Sequence, residues 1–202
     1  MKQYNILDYG AIADGVTNNA AAIQQAIDEA SAAGGRVVIP QGKYLSGTLV
    51  LKSNIDFHLE KGAVLISSLN QEDIMDFAKL FEDDNACTGW DGGCFLFACH
   101  EENITISGEG VIYGQGDKVF IDDDVDGGAH ECPLSVAAFR PRTTFLEDVT
   151  NLTVRDITIQ DAAFWTLHMA GCHHVRVQDI KILNDVRGAN NDGIDPDCCK
   201  GV

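Results

Sequence analysis

The chain has 202 residues, 45% of them hydrophobic and 22% charged, a balance that excludes a disordered polymer and fits a folded globular protein. Against 31 Asp and Glu stand only 14 Lys and Arg, a formal net charge of −17, so nucleic acid and anionic membrane surfaces are excluded as partners, and any polyanionic ligand needs a local basic patch. No apolar run reaches the length of a membrane-spanning helix, and Met1 to Asp8 lack the core of a signal peptide; we expect a cytoplasmic location and leave secretion open.

The first element in chain order is a helix over about 17–33. Thr17, Asn18 and Asn19 offer capping groups, Ile23, Ala26, Ile27 and Ala30 fall at i, i+3, i+4, i+7, and Gly34-Gly35 ends the run. Arg36 to Pro40 then reads as a short strand and Gly42-Lys43-Tyr44 as a turn. From about residue 36 the chain repeats itself. Asn54–Leu59, Asn103–Gly108, Asn151–Ile159 and His174–Ile182 each alternate apolar and polar residues, and the last two match almost position by position. They start 23 residues apart, and the intervals of 48 and 49 between the earlier ones are about twice that. A period near 24 with short strands and polar corners is the mark of a solenoid, one coil per repeat. An antiparallel sandwich would instead need hairpin turns every 8–12 residues or so, and these are scarce.

The whole chain is therefore expected to form one parallel β-helix domain, all-β apart from an amphipathic helix that caps the first coil. Asparagine at the strand starts is expected to bond local backbone at a bend. Two acidic stretches, 70–94 and 117–133, break the period and are read as insertions. Position 202 falls where Val175 and Leu152 fall in earlier coils, so the chain is expected to stop within a coil, and the open edge there is expected to self-associate.

Seven cysteines, an odd number, point to free thiols: Cys87, Cys94, Cys99, Cys132, Cys172, Cys198 and Cys199. The His173-His174 pair lacks a second ligand pair for zinc. Asp122-Asp123-Asp124-Val125-Asp126-Gly127 begins like a calcium loop, but its twelfth position is Pro133 and not Glu. No metal or cofactor is assigned.

The densest candidate site is Gly188-Ala189-Asn190-Asn191-Asp192-Gly193-Ile194-Asp195-Pro196-Asp197. Composition alone allows a polar turn. Chemically, a carboxylate on a solenoid strand can meet a second one on a stacked coil, because strands lie about 4.8 Å apart and an inverting glycosidase separates its carboxyls by roughly 6.5–9.5 Å. Asp195, at odd spacing from Asp192, is expected to face away from it. His168 and Trp165 serve as core residues or as sugar contacts; Arg140, Arg142 and Arg187 pair with surface acids or bind carboxylates of a substrate.

Asn190-Asn191-Asp192-Gly193-Ile194-Asp195 resembles the Asn-Thr-Asp-Gly-Ile/Phe-Asp motif of the polygalacturonases, family 28 of the glycoside hydrolases. Gly108-Glu109-Gly110-Val111-Ile112-Tyr113-Gly114-Gln115-Gly116 resembles that family's Gly-x-Gly-x-Ile-x-Gly-x-Gly coil. Tyr9-Gly10-Ala11 with Asp14-Gly15, Phe139-Arg140-Pro141 and Phe164-Trp165-Thr166-Leu167-His168 have counterparts too. Asn191 departs mildly from the usual Thr. The resemblance implies a right-handed parallel β-helix and metal-free, inverting hydrolysis of pectic oligo- or polysaccharides, with Asp192 as the catalytic, water-activating carboxylate. Asn190, His168, Arg140 and Arg187 are the candidate substrate contacts. The family's Asp-Asp pair, Gly-His and Arg-x-Lys would follow Val202, so the active site is expected to be incomplete within these residues. The missing leader peptide suggests exo-action on imported oligosaccharides. A calcium-dependent pectate lyase and a non-catalytic carbohydrate-binding β-helix are the alternatives.

Overall fold

A computed structural model describes residues 1–76, 93–122 and 134–202. Three parallel sheets run along a common axis, and each turn of chain after the first contributes one strand to each in rotation. The first sheet stacks Lys2–Asn5, Gly35–Ile39, Ile55–Leu59, Glu102–Ser107, Thr150–Arg155 and His173–Gln178. The second stacks Asp14–Asn18, Gly42–Ser46, Ala63–Ser67, Val111–Tyr113, Thr158–Gln160 and Lys181–Leu183. The third stacks Leu49–Val50, Cys94–Cys99, Arg142–Glu147, Leu167–Ala170 and Ile194–Asp197. This is the right-handed parallel β-helix expected from the repeat.

Alternation along each strand sends every second side chain inward, and register stacks like on like. Tyr4, Val37, Phe57, Ile106, Val154 and Val177 form one interior column; Tyr44, Leu65, Ile112, Ile159 and Ile182 form another. Most of these side chains are fully buried, each worth about 1.5–3 kcal/mol in removed apolar surface. The helix α1 (Ala20–Ala33) covers the first coil with Ile23, Ala26, Ile27 and Ala30, all buried. Asn19 precedes it but does not cap it. Its side chain instead ties Ile12, Thr17 and Leu45 together, while Asn18 Oδ1 accepts from Ala20 N at 3.0 Å.

Four readings of the sequence change. Gly42-Lys43-Tyr44 is not a turn but the start of a second-sheet strand, and the bend lies at Pro40-Gln41. The alternating runs 151–159 and 174–182 are each two strands of different sheets. Asp156 and Asp179, in the left-handed conformation (φ 63° and 53°), turn the chain between them. The 48- and 49-residue intervals are single coils: Ile55 pairs directly with Ile104, and Ile104 with Leu152. The extra residues lie between the second and third sheets and include 77–92 and 123–133, outside the described residues. The strand-start asparagines bond one another rather than local backbone. Asn54, Asn103 and Asn151 are all left-handed (φ 63°, 56°, 59°). Asn103 Nδ2 donates to Asn54 Oδ1, and Asn151 Nδ2 to Asn103 Oδ1, each at 2.9 Å.

Among the described residues, Cys94, Cys99, Cys172, Cys198 and Cys199 are free thiols, no group of three or more ligating side chains is placed to hold a metal, and no helix is long and apolar enough to cross a membrane. The calcium-like run continues beyond Asp122 into residues outside that description.

Candidate active site

The third sheet builds the site, because its outward face carries one residue per coil in strict register: Val50, Phe97, Phe145, His168 and Asp195. The rings stack upward, Phe97 on Phe145 at 6.1 Å between centroids and Phe145 on His168 at 4.9 Å. Trp165 meets His168 edge-on at 4.7 Å. His168 is only 7% exposed. Burial, helped by the nearby Arg142 guanidinium and opposed by Asp197, pushes its pKa down to about 4, so the ring is neutral at physiological pH. It forms the wall beneath Asp195 rather than an open sugar platform.

Arg142 and Arg140 flank the rings. The Arg142 guanidinium lies 5.3 Å from the Phe164 centroid and 5.1 Å from that of Trp165, and Arg140 lies 4.3 Å over Phe164, cation–π geometry in each case. Arg140 also reaches from its own coil into the motif. Its Nη1 donates to Ala189 O at 2.6 Å and its Nη2 to Asn190 Oδ1 at 2.9 Å. Asn190 is left-handed (φ 56°), and the Arg140 clasp fixes it there.

The next residues are pinned by the coil below. Thr166 N donates to Asp192 O at 3.1 Å and Leu167 N to Gly193 O at 3.2 Å. Asn191 O accepts from Asn184 Nδ2 at 2.8 Å, and Asn191 Nδ2 donates to Asp185 O at 2.8 Å. Asn184 also donates to Thr166 Oγ1 and accepts from Ala162 N. The Asp192 backbone is thereby rigid while its side chain stays exposed to solvent, the arrangement a working carboxylate requires.

Asp195 leaves the same outward face of the third sheet as His168. The strand begins only at Ile194, so two-residue alternation does not extend back to Asp192, and the charge of Asp192 is felt at Asp195. Burial first, then that neighbouring charge, raises the Asp195 pKa. Arg187 turns toward a neighbouring cavity. Its Nη1 meets Asp122 Oδ2 at 2.8 Å and its Nε lies 3.7 Å from Asp185 Oδ1. The cavity measures about 290 Å³, with Phe120, Asp161 and Asn191 also in its lining, at the small end of ligand pockets. The structure thus groups Asn190, Asp192, Asp195 and His168 at one end of the third sheet, with Arg140 clasping the loop and Arg187 on its far side. Asn184 is not singled out by the sequence, and Thr166 appears there only within the Phe164–His168 run: a brace of this kind follows from register between coils and leaves no local motif.

Residues 3–73 match the family described as Rhamnogalacturonase A/epimerase, pectate lyase-like. The chain is 28% identical over 205 residues to a "Probable polygalacturonase" of Vitis vinifera, covering 96% of this chain and 40% of that protein. It is 37% identical over 131 residues to an exo-poly-alpha-D-galacturonosidase of Dickeya chrysanthemi, covering 58% of this chain and 20% of that one. Among solved structures, a hyperthermoactive exopolygalacturonase from Thermotoga maritima superposes with a TM-score of 0.75 at 25% identity, over 98% of this chain and 50% of that chain. The chain thus spans two fifths or less of the length of these curated relatives.

Proposed function

We propose that the chain is a member of the polygalacturonase-like family and supplies part of the active site of a glycoside hydrolase acting on galacturonic-acid-containing, pectic chains. The observation that carries this reading is the exposed Asp192 carboxylate on a backbone clamped from the coil below, in a segment held by Arg140. The guanidinium groups of Arg140 and Arg142 beside the motif are the local positive charge that a uronate needs to approach a chain of net charge −17.

In this reading Asp192 takes a proton from water as that water attacks the anomeric carbon. A second carboxyl, protonated, gives its proton to the departing glycosidic oxygen, and the product anomer is inverted. Exo-action is supported by the names of two relatives, an exo-poly-alpha-D-galacturonosidase and an exopolygalacturonase. The proposal extends to self-association of residues 1–202.

The test replaces Asp192→Asn in the full-length protein that carries this chain and follows oligogalacturonide cleavage with product analysis. Loss of turnover by at least about 10²–10⁴ is expected, with saturated products from the unsubstituted protein. Near-normal turnover in the variant would remove Asp192 from catalysis, and an unsaturated product would move the protein to the lyases.

A further inference from the structure

Two buried polar atoms belong to residues paired across the last two coils, and neither has a hydrogen-bond partner among the described residues. They are Asp195 Oδ2 and His168 Nδ1. Their residues are direct register partners in parallel strands, so the two side chains leave the same face of the sheet, about 4.8 Å apart at the backbone. A buried carboxylate oxygen and a buried ring nitrogen are each costly to leave unsatisfied. One proton placed between them satisfies both atoms at once.

The surroundings decide where that proton sits. His168 is packed between the Phe145 and Trp165 rings. The Arg142 cation beside it opposes a second positive charge, while Asp197 acts weakly the other way. The ring is therefore neutral, and Nδ1 is free to accept. On the other side, Asp195 is partly buried beside the exposed Asp192. Burial and the charge of Asp192 both favour the protonated form of Asp195. A proton kept there can be donated through Oδ2 to His168 Nδ1 in the tautomer protonated on Nε2.

We propose that Asp195 is a positioning residue of this site: held neutral by a hydrogen bond to His168 Nδ1, it leaves the single negative charge on Asp192. The role in turnover rests on the hydrolase reading; the shared proton does not. The aromatic column Phe97–Phe145–His168 then gains a purpose, since it carries a dry acceptor up to the level of the motif.

The experiment has two arms. In residues 1–202, NMR follows the Asp192 and Asp195 side-chain carboxyl carbons and the His168 ring nitrogens across the acidic and neutral range. Asp195 is expected to release its proton at higher pH than Asp192, with His168 Nδ1 reporting an accepted hydrogen bond and no proton of its own. Asp195 ionising before Asp192, or a proton resident on Nδ1 at neutral pH, overturns the proposal. The second arm measures the pH dependence of turnover in the full-length protein with Asp195→Asn, which mimics the neutral carboxyl. A changed pH profile, with activity persisting to higher pH than in the original protein, is expected. An unchanged profile shape, the mark of a purely structural residue, overturns the functional half. A full-length protein without hydrolase activity defeats the hydrolase reading and leaves the NMR arm decisive.

Discussion

At the scale of single residues, the site trades stability for charge placement, and His168 shows the sign. Its folded pKa of about 4 lies below the ordinary histidine value. As pH falls, the unfolded chain binds this proton first, beginning near pH 6.5, so stability is lost between about pH 6.5 and pH 4 and is complete only above that window. The single group is worth on the order of 2–3 kcal/mol. His58, whose Nδ1 meets Ser107 Oγ at 2.8 Å, is also shifted down, by burial and Arg36, and acts in the same direction. Asp195, shifted up, has the opposite slope: the stability it contributes is present at low pH and lost as pH rises through its folded value. Urea unfolding at several pH values should therefore show the original chain weakening on acidification more steeply than His168→Gln. Parallel curves would mean that His168 is protonated in the folded state like an exposed histidine.

At the scale of elements, the corners set what can be read. Interior columns and α1 were legible because burial writes itself as period two or period 3.6: Ile23, Ala26, Ile27 and Ala30 are the face the spacing picks out. Corners write no such period. Asp156 and Asp179 look like ordinary polar residues within a strand, yet their positive φ ends one strand and starts another. Insertions of about one coil's length mimic an extra repeat, so spacing cannot tell a coil from a loop until pairing shows it. The orientation of Asp195 relative to Asp192 is not set by alternation either, because the strand begins at Ile194. The motif around Asp192 was legible, whereas the buried environment of His168 depends on contacts across coils.

One corner gives a quantitative test. Gly108 has φ +108°, and a Cβ there would lie 2.0 Å from Leu59 O in the coil below. Gly171 turns a corner at φ +63° with nothing within 4 Å. Gly171→Ala should cost only left-handed strain, about 1–2 kcal/mol. Gly108→Ala adds a clash with backbone that cannot move without unstacking two coils, and should exceed it by at least about 1–2 kcal/mol. Denaturant midpoints of the two variants check the difference, and equal losses would show that the Leu59 carbonyl yields easily.

At the scale of the whole molecule, a short-ranged attraction and a long-ranged repulsion oppose each other when copies of residues 1–202 meet. The last strands, His173–Gln178, Lys181–Leu183 and Ile194–Asp197, pair with a neighbouring strand on one side, and beyond them, among the described residues, Lys200 and Gly201 add backbone contacts. Their interior residues are less well covered than their counterparts one coil earlier: Val177, Ile180 and Ile182 are partly exposed, whereas Val154, Ile157 and Ile159 are buried. Leu183 and Ile194 are 53% and 44% exposed. Unpaired edges beside apolar surface favour association. The net charge of −17 opposes it, but that repulsion decays over about 10 Å at 0.1 M salt and about 3 Å at 1 M, while edge pairing and apolar contact are short-ranged and survive. Residues 1–202 should therefore be monomeric at low ionic strength and associate as salt rises, read by light scattering coupled to size exclusion. Ile182→Lys, which places charge in the exposed end, should shift the onset to higher salt. A monomer at every salt concentration would show that the last coil covers its own edge, and association that weakens with salt would place the contact on charged surface instead.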